Sequence, residues 1–177
     1  MKVVREGIEN INPKDKYIFV SNHMSYFDIP ILMLAVPNVL RFIYKKSISK
    51  IPIFGWAMYL AKYIPIDRTD ARSAITSLRK AAKFMKRGIS VSIFPEGTRS
   101  KNGKISDFKK GVFVLADEAK EKIVPVTIIG SFNIMKKGSR KINPGTVKVI
   151  FSKPLEFKND KNFLHHIREI IIKNYDQ

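Results

Sequence analysis

The sequence of 177 residues has no cysteine and only three histidines. The absence of cysteine excludes disulfide bonds, thiolate nucleophiles and cysteine-ligated metals, and it fits a reducing compartment without proving one. With three imidazoles at most, we expect no metal site. The histidines remain the side chains best suited to act as a base near neutral pH.

Long apolar runs are missing as well. Stretches without a charge, such as 29–40 and 51–61, are well short of the roughly 20 apolar residues that a spanning helix needs. The N-terminal residues Met-Lys-Val-Val-Arg-Glu contain no apolar segment of a secretory signal. We therefore expect no membrane-spanning helix and no secretory leader.

Acidic residues are scarce. Only 15 of them accompany 33 lysines and arginines, which gives a formal net charge of +18 and a pI of about 10.1. Such a charge attracts nucleic acid, anionic lipid head groups or an acidic carrier protein. Charge alone does not choose among these partners, and lysines that only solvate the surface would produce the same value.

The composition is that of a globular domain, with 45% hydrophobic and 27% charged residues. Short β-branched runs alternate with segments of helical period, which predicts one α/β domain over 1–177 with a mixed, mostly parallel sheet flanked by helices. The predicted strands are 17–21, 39–44, 63–66, 90–94, 123–128 and 147–151, and the predicted helices are 27–35, 54–61, 71–86, 112–120 and 163–172. Two polar loops, 95–110 and 130–145, follow strands, where α/β proteins usually bind ligands.

A histidine and an aspartate flank the start of the first predicted helix. Pro30 is tolerated only in a first helical turn, so the helix begins near Phe27 or Asp28, and the Asp28 carboxylate could reach back to His23. If that carboxylate accepts the Nδ1 proton, Nε2 can take a proton from a substrate hydroxyl, as a general base does. A surface histidine beside an aspartate at a helix start would show the same spacing.

A second polar feature follows the strand 90–94. The sequence Phe-Pro-Glu-Gly-Thr-Arg-Ser at 94–100 forms a turn that exposes N–H groups, hydroxyls and the guanidinium of Arg99. Such groups suit a phosphate or a developing oxyanion, for which we favour the N–H groups near Gly97 as donors. An ordinary polar turn with a solvated arginine would look the same.

Further cations follow two other predicted strands. Lys45 and Lys46 come after 39–44, and Arg68 comes just after 63–66. If these strands are parallel neighbours, their carboxyl ends meet at one sheet edge, together with His23 and Arg99. Several cations near one base predict an anionic substrate with a reactive hydroxyl, although each cation alone could be a solvated surface charge.

These residues resemble a known family. The motifs Asn-His-x-Ser-Tyr-x-Asp at 22–28, Ile-Pro-x-Phe-Gly at 51–55, Ile-Asp-Arg at 66–68, Phe-Pro-Glu-Gly-Thr-Arg-Ser at 94–100 and Val-Pro-Val at 124–126 stand in the order of the acyltransferase blocks of the 1-acyl-sn-glycerol-3-phosphate acyltransferases. The resemblance implies a glycerolipid acyltransferase-like fold. It also implies transfer of a fatty acyl group from acyl-CoA or acyl-acyl carrier protein to the sn-2 hydroxyl of lysophosphatidic acid, without a cofactor or a covalent acyl-enzyme.

The resemblance also implies roles for individual residues. His23 and Asp28 correspond to the catalytic pair. The acceptor and its phosphate would be bound by Glu96, Gly97, Thr98, Arg99, Arg68, Lys45 and Lys46. An apolar wall for the acyl chain could come from the run 53–60, through Phe54, Trp56 and Met58, although an apolar run of that length more often forms plain core.

One departure from the family pattern concerns the N-terminus. Family members generally carry an N-terminal membrane-embedded or interfacial segment, whereas only 22 residues precede His23 here. We therefore expect a single acyltransferase domain without the usual anchoring helices, attached peripherally to an anionic membrane at its cytoplasmic face, with a soluble fraction.

Two alternatives to this function remain open. The acceptor could be another lysophospholipid or glycerol 3-phosphate, or the chain could be an inactive basic protein that binds anionic lipid or RNA. The RNA reading is weakened because no strand interleaves aromatic and basic residues, so we expect no nucleic-acid partner. The intact pair of His23 and Asp28 weakens the inactive reading.

Overall fold

A computed structural model describes residues 1–139, 141–160 and 162–177, with the side chain of Phe54 outside the described part. Seven strands form one sheet: β1 (Lys2–Glu6), β2 (Ile18–Ser21), β3 (Leu40–Lys45), β4 (Ile64–Ile66), β5 (Ser90–Ile93), β6 (Ile123–Ile129) and β7 (Thr146–Phe151). The helices are α1 (Asp28–Ala35), α2 (Phe54–Leu60), α3 (Ala71–Met85), α4 (Gly111–Ala119), the short α5 (Ser131–Ile134) and α6 (Phe163–Tyr175).

The sheet has the strand order β1-β7-β6-β2-β5-β3-β4. The five strands from β6 to β4 are parallel to one another, while β7 runs antiparallel to β6 and carries β1 parallel to itself. The mixed, mostly parallel sheet predicted from the sequence is therefore confirmed. The carboxyl ends of β2, β5, β3 and β4 lie along one edge, as the cation pattern required.

Two apolar layers cover the sheet. Side chains of α3, α4 and α6 pack on one face, around residues such as Leu78, Leu115 and Ile167. The other face is covered by α1, with Ile31 and Leu32 fully buried, and more loosely by α2, from which Met58 packs against the same layer. Within the described residues, no helix combines the length and the apolarity that a membrane crossing requires.

Two elements were not predicted. The strand β1 reads Lys-Val-Val-Arg-Glu, and its short, charged sequence carries little strand signal because it lies at the sheet edge and pairs only with β7. The helix α5 spans four residues, too few for a helical period.

Candidate active site

The loop between β2 and α1 brings His23 and Asp28 together. The helix α1 begins at Asp28, as the position of Pro30 predicted. His23 Nδ1 lies 2.8 Å from Asp28 Oδ2, and the same oxygen accepts the N–H groups of Met24 at 2.7 Å and Ser25 at 2.8 Å. Because the fully buried carboxylate is a fixed acceptor, it holds the proton on Nδ1 and leaves Nε2 as the basic nitrogen.

The backbone of His23 is fixed from both sides by the loop after β5. Its N–H donates to Glu96 Oε1 at 2.7 Å, and its carbonyl accepts the N–H of Ser100 at 2.8 Å. The imidazole stacks on the Phe94 ring, with centroids 4.0 Å apart and an angle of 16° between the planes. The side chain keeps 16% of its surface exposed, so a substrate can reach it. The base therefore depends on two chain segments that are far apart in sequence.

The carboxylate of Glu96 uses both of its oxygens to hold the loops of the site. Its second carboxylate oxygen, Oε2, accepts the N–H of Ser106 at 2.9 Å, and the residue is only 3% exposed. Burial raises the pKa of Glu96, while the hydrogen bonds from Ser106 and His23 act in the opposite direction. Because both oxygens already have donors, the geometry gives this carboxylate a positioning role between two loops and leaves it little capacity to hold a substrate directly.

The turn after Glu96 needs a glycine. Gly97 has φ +73°, in the left-handed region, and its N–H closes the turn on the Phe94 carbonyl at 3.1 Å. The side chain of Lys109 covers this glycine, so a Cβ there would meet Lys109 Nζ at 3.2 Å. Because the Gly97 N–H is used, any free donors of this turn must come from Thr98 and Arg99, whose N–H groups form no hydrogen bond within the described part of the chain.

Lys137 holds the next residues of the turn. Its ammonium donates to Thr98 Oγ1 at 2.8 Å and to the Arg99 carbonyl at 3.2 Å. The segment that carries Lys137 is tied to the base as well, because Ser25 Oγ donates to the Met135 carbonyl at 2.9 Å. Thus the loop 130–145 completes the wall of the site opposite the Glu96 segment.

Arg99 lies over an aromatic ring. Its guanidinium carbon is 3.3 Å from the centroid of the Tyr26 ring, a cation–π contact that fixes the planar group. Its Nη1 is buried and has no hydrogen-bond partner among the described residues. In the same part of the chain, Arg99 forms no ion pair with a carboxylate. The guanidinium is thus held in place with donor capacity to spare.

A cleft of about 160 Å³ opens beside this loop, with Arg68, Gly97 and Lys109 among its lining residues. Its other walls are apolar and come mainly from β3, β4, β5 and α3: Ile43, Ile66, Ala74, Leu78, Ile93 and Phe94. Arg68 keeps part of its surface exposed to solvent. Partial burial in the cleft lowers the pKa of its guanidinium through desolvation, and the group still carries its charge at neutral pH. An apolar cleft with cations among its lining residues suits an amphiphile with an anionic group.

The two predicted lysines lie at the same sheet edge but on the surface. Lys45 ends β3 directly beside Ile66 of β4, two residues before Arg68. Lys46 is exposed and forms an ion pair with Asp67 at 3.7 Å. Lys46 is therefore partly neutralised, whereas Lys45 forms no ion pair within the described residues.

The predicted acyl-chain wall does not line the cleft. Trp56 is 71% exposed on the outer side of α2, Met58 packs against the core layer below α1, and the side chain of Phe54 lies outside the described part. The alternative expectation, that the run 53–60 forms plain core, is wrong for most of the run, because Ile53, Tyr59 and Leu60 are more than 70% exposed.

Sequence reasoning missed Tyr26, Lys109 and Lys137 as contributors to the site. Both lysines come from the loops 95–110 and 130–145 that the sequence marked for ligand binding, so the signal located the loops and not the residues. Nothing in the sequence distinguishes these two lysines from the others. In the described part of the chain, no three histidine, aspartate or glutamate side chains come together as a metal site would need.

Comparisons with known proteins identify relatives of this chain. The sequence model of the Acyltransferase family matches residues 2–129. A chloroplastic 1-acyl-sn-glycerol-3-phosphate acyltransferase of Arabidopsis thaliana is 40% identical over 99% of this chain, and a 1-acyl-sn-glycerol-3-phosphate acyltransferase of Borreliella burgdorferi is 32% identical over 99% of it. The crystal structure of the 1-acyl-sn-glycerophosphate acyltransferase PlsC from Thermotoga maritima superposes with a TM-score of 0.85, at 31% identity over 98% of this chain.

The matched lengths differ among these proteins. This chain spans about half the length of the first curated relatives, with 49% of the Arabidopsis protein covered. It covers 72% of the Borreliella protein and 70% of the Thermotoga chain. The match to these two proteins therefore extends over most of both partners.

Proposed function

The chain belongs to the Acyltransferase family, and from that premise we propose that it transfers a fatty acyl group from a thioester to the sn-2 hydroxyl of 1-acyl-glycerol 3-phosphate, giving phosphatidic acid. The observation that carries the proposal is a histidine base, held by a buried aspartate, next to the turn that carries Arg99, whose guanidinium has no carboxylate partner in the described residues. Arg68 lines the cleft that adjoins the same turn at Gly97. A base deprotonates the hydroxyl, and the cations bind the phosphate that defines the acceptor.

The proposed chemistry needs no protein nucleophile. His23 Nε2 takes the proton as the acceptor oxygen attacks the thioester carbonyl, and Asp28 stabilises the imidazolium that forms. When the tetrahedral intermediate collapses, the C–S bond breaks and the imidazolium returns the proton to the departing thiolate. General base catalysis of this kind contributes roughly 100- to 10,000-fold, so positioning and charge stabilisation must supply the rest.

The negative charge that develops on the carbonyl oxygen requires donors. We assign them to the N–H groups of Thr98 and Arg99, since the N–H of Gly97 is used within the turn. Lys137 supports this assignment because it holds the Thr98 hydroxyl and the Arg99 carbonyl from the opposite side. The sequence placed the oxyanion donors near Gly97, and the proposal assigns them to the next two residues.

We assign the acceptor phosphate to Arg99 and Arg68, with Lys109, which lines the cleft together with Arg68, as a third cation. The Tyr26 ring supports Arg99, so the guanidinium loses little freedom when it binds an anion. Lys45 is available at the adjacent strand end, and Lys46 would first have to leave Asp67. The apolar cleft behind Arg68 is the best candidate for an acyl chain, in place of the predicted wall on α2.

The donor is acyl-CoA or acyl-acyl carrier protein, both of which are anionic and fit a net charge of +18. We also propose that the protein works peripherally at the anionic cytoplasmic face of a membrane, because its acceptor is a lipid. No cofactor takes part in the proposed reaction.

One assay tests the function. Thiol release from acyl-CoA or acyl-acyl carrier protein is followed with lysophosphatidic acid, lysophosphatidylcholine or glycerol 3-phosphate as acceptor. We expect rapid release only with lysophosphatidic acid, and loss of at least about 100-fold in His23→Ala. His165→Ala, at an exposed position on α6, is the matched control and should retain the wild-type rate.

Two outcomes would contradict the proposal. Equal thiol release by wild type and His23→Ala would remove His23 from the reaction. Preference for lysophosphatidylcholine or glycerol 3-phosphate would keep the chemistry and replace the acceptor.

A further inference from the structure

The exposed apolar side chains of this protein are concentrated in one part of the chain. Twelve large apolar side chains are exposed among the described residues, and four of them, Met1, Tyr26, Ile75 and Ile142, lie outside residues 29–66. The other eight lie within it: Met33, Leu34, Val39, Ile51, Ile53, Trp56, Tyr59 and Leu60. Scattered exposed apolar residues are normal on a soluble surface, whereas a concentration of this kind marks an interaction site.

Five of the eight side chains lie on α1 and α2, which cover the same face of the sheet, and the other three lie in the segments just before β3 and α2. The buried side of α1 packs into the core layer that also contains Met58 of α2. The chain after α2 also contacts α1, because the hydroxyl of the buried Tyr63 donates to Met33 Sδ at 3.3 Å. We call this surface, made by the eight exposed side chains above, the α1–α2 face.

The segment that forms the α1–α2 face carries only positive charges, one of which, on Lys46, pairs with Asp67 just beyond the segment. Residues 29–66 contain five cations and no acidic residue: Arg41, Lys45, Lys46, Lys50 and Lys62. The four lysines are exposed. A partner that covers this face must therefore be apolar at its centre and anionic around it, which is the chemistry of an anionic lipid leaflet.

The same charges argue against a second copy of the chain as the occupant. A two-fold interface would bring each set of lysines toward its symmetry mate, with no acidic residue in the segment to neutralise them. The side chains of α2 also fit a lipid interface, because Trp56 and Tyr59 combine an apolar ring with a polar group, as aromatic residues do at the head-group level.

We propose that the α1–α2 face is a membrane-docking surface, which inserts Trp56, Tyr59 and Leu60 into an anionic leaflet while the surrounding lysines contact lipid phosphates. The position of the face matters for catalysis only if the proposed function is right. β3 and β4, which flank α2 in the chain, end at the sheet edge that carries Lys45 and Arg68. Docking on this face would bring that sheet edge near the leaflet from which a lysophospholipid must come, while the apolar cleft lies on the opposite face of the sheet, beside α3.

Trp56 is the sole tryptophan in the sequence, so its fluorescence reports on this surface alone. Wild-type protein is mixed with vesicles of phosphatidylglycerol and phosphatidylcholine that carry bromine on the acyl chains. We expect a blue shift of the emission and quenching by the brominated chains, with much less of both on pure phosphatidylcholine. Cosedimentation with vesicles while the Trp56 emission stays unchanged would overturn the proposal, since docking would then occur elsewhere. A blue-shifted emission without vesicles, together with dimers in size-exclusion chromatography, would assign the face to a second copy.

Substitution separates docking from catalysis. In the triple variant Trp56→Ser, Tyr59→Ser, Leu60→Ser, we expect vesicle affinity to fall on the order of 100-fold, because three partly inserted side chains are lost. Its melting temperature and its thiol release with a short-chain, monomeric lysophosphatidic acid should stay at the wild-type level. Ile75→Ser, an exposed isoleucine outside the α1–α2 face, is the matched control and should bind vesicles normally.

The outcomes distinguish this proposal from the proposed function. If wild-type Trp56 is quenched by lipid while no acceptor supports thiol release, docking stands and the function fails. If the triple variant binds vesicles normally and loses activity on the monomeric substrate, the docking proposal is refuted. The result would then support the earlier prediction that α2 forms part of the acyl-chain wall.

Discussion

At the scale of single residues, the site is built on donors and acceptors that reach across the chain. Glu96 shows this best, because its two oxygens join the backbone of His23 to that of Ser106. Replacing it by glutamine keeps the shape but turns one acceptor into an N–H donor that faces another N–H donor. The positioning of His23 should therefore be sensitive to a change of a single atom.

Glu96 should also give the protein a specific pH dependence of stability. Because burial raises its pKa, the folded protein holds the proton more tightly than the unfolded chain does, so stability falls as pH rises from about 4.3, the ordinary glutamate value, through the raised value. Glu96→Gln lacks this titration. We expect the free energy of unfolding of wild type minus that of Glu96→Gln to decline across this window, measured by urea unfolding between about pH 4 and about pH 8. A difference that increases with pH would contradict the assignment, and Glu9→Gln, at an exposed position, is the control substitution.

Arg99 offers a test of substrate recognition. Since hydrogen bonds to charged groups contribute roughly 1.5 to 3 kcal/mol, Arg99→Ala should raise the apparent KM for lysophosphatidic acid by about 10- to 100-fold. The KM for the acyl donor should change far less. Steady-state kinetics with each substrate varied separately measure both values, with Arg87→Ala, an exposed arginine after α3, as control. Equal increases in both KM values would instead indicate a structural role.

Prediction from the sequence succeeded for residues whose geometry is local. Pro30 located the start of α1, and therefore the distance between Asp28 and His23. Prediction failed for Lys109 and Lys137, because their contacts depend on the way in which two long loops fold back over the turn at Gly97. Such contacts join positions more than ten residues apart and leave no periodic signal in the sequence.

At the scale of elements, the least predictable feature is α2. Its apolar run suggested core, yet most of its large side chains face outward, since periodicity shows that a helix is apolar without showing what covers it. The parallel strands, by contrast, were predictable from their short β-branched runs and their crossover helices. The chain order of the elements was thus readable from the sequence, and the exposure of α2 was not.

The attachment of α2 depends on Gly55. A Cβ at this position would lie 2.2 Å from the Ser49 carbonyl oxygen, in the 3-10 turn Lys46–Lys50. Gly55→Ala must therefore push the helix away from this turn, and we expect it to lower the free energy of unfolding by about 1 to 3 kcal/mol in denaturant titrations. Gly111→Ala is the control, because its Cβ would meet Leu78 at an ordinary 3.6 Å. Similar losses in both variants would show that the contact at Ser49 is not the cause.

At the scale of the whole molecule, two interactions of different range contribute to the proposed membrane binding. The net charge of +18 acts over many ångströms and is screened by salt, with a Debye length of about 10 Å at 0.1 M and about 3 Å at 1 M. The α1–α2 face acts only on contact, and its apolar contribution is not weakened by screening. Long-range charge should therefore govern the rate of arrival at a vesicle, and the apolar face should govern the rate of departure.

Stopped-flow energy transfer from Trp56 to a dansyl lipid measures both rates in the wild-type protein. Between about 0.1 M and about 1 M salt we expect the association rate to anionic vesicles to fall at least 10-fold, because screening removes the steering. The dissociation rate should change by less than about 3-fold, because inserted side chains leave at a rate set by apolar contact. The variant Leu60→Ser retains the Trp56 fluorophore. Compared with wild type at the same salt concentration, it should dissociate faster and associate at an unchanged rate. Dissociation that accelerates with salt as strongly as association slows would mean that charge alone holds the protein on the membrane, and that α2 rests on the lipid without entering it.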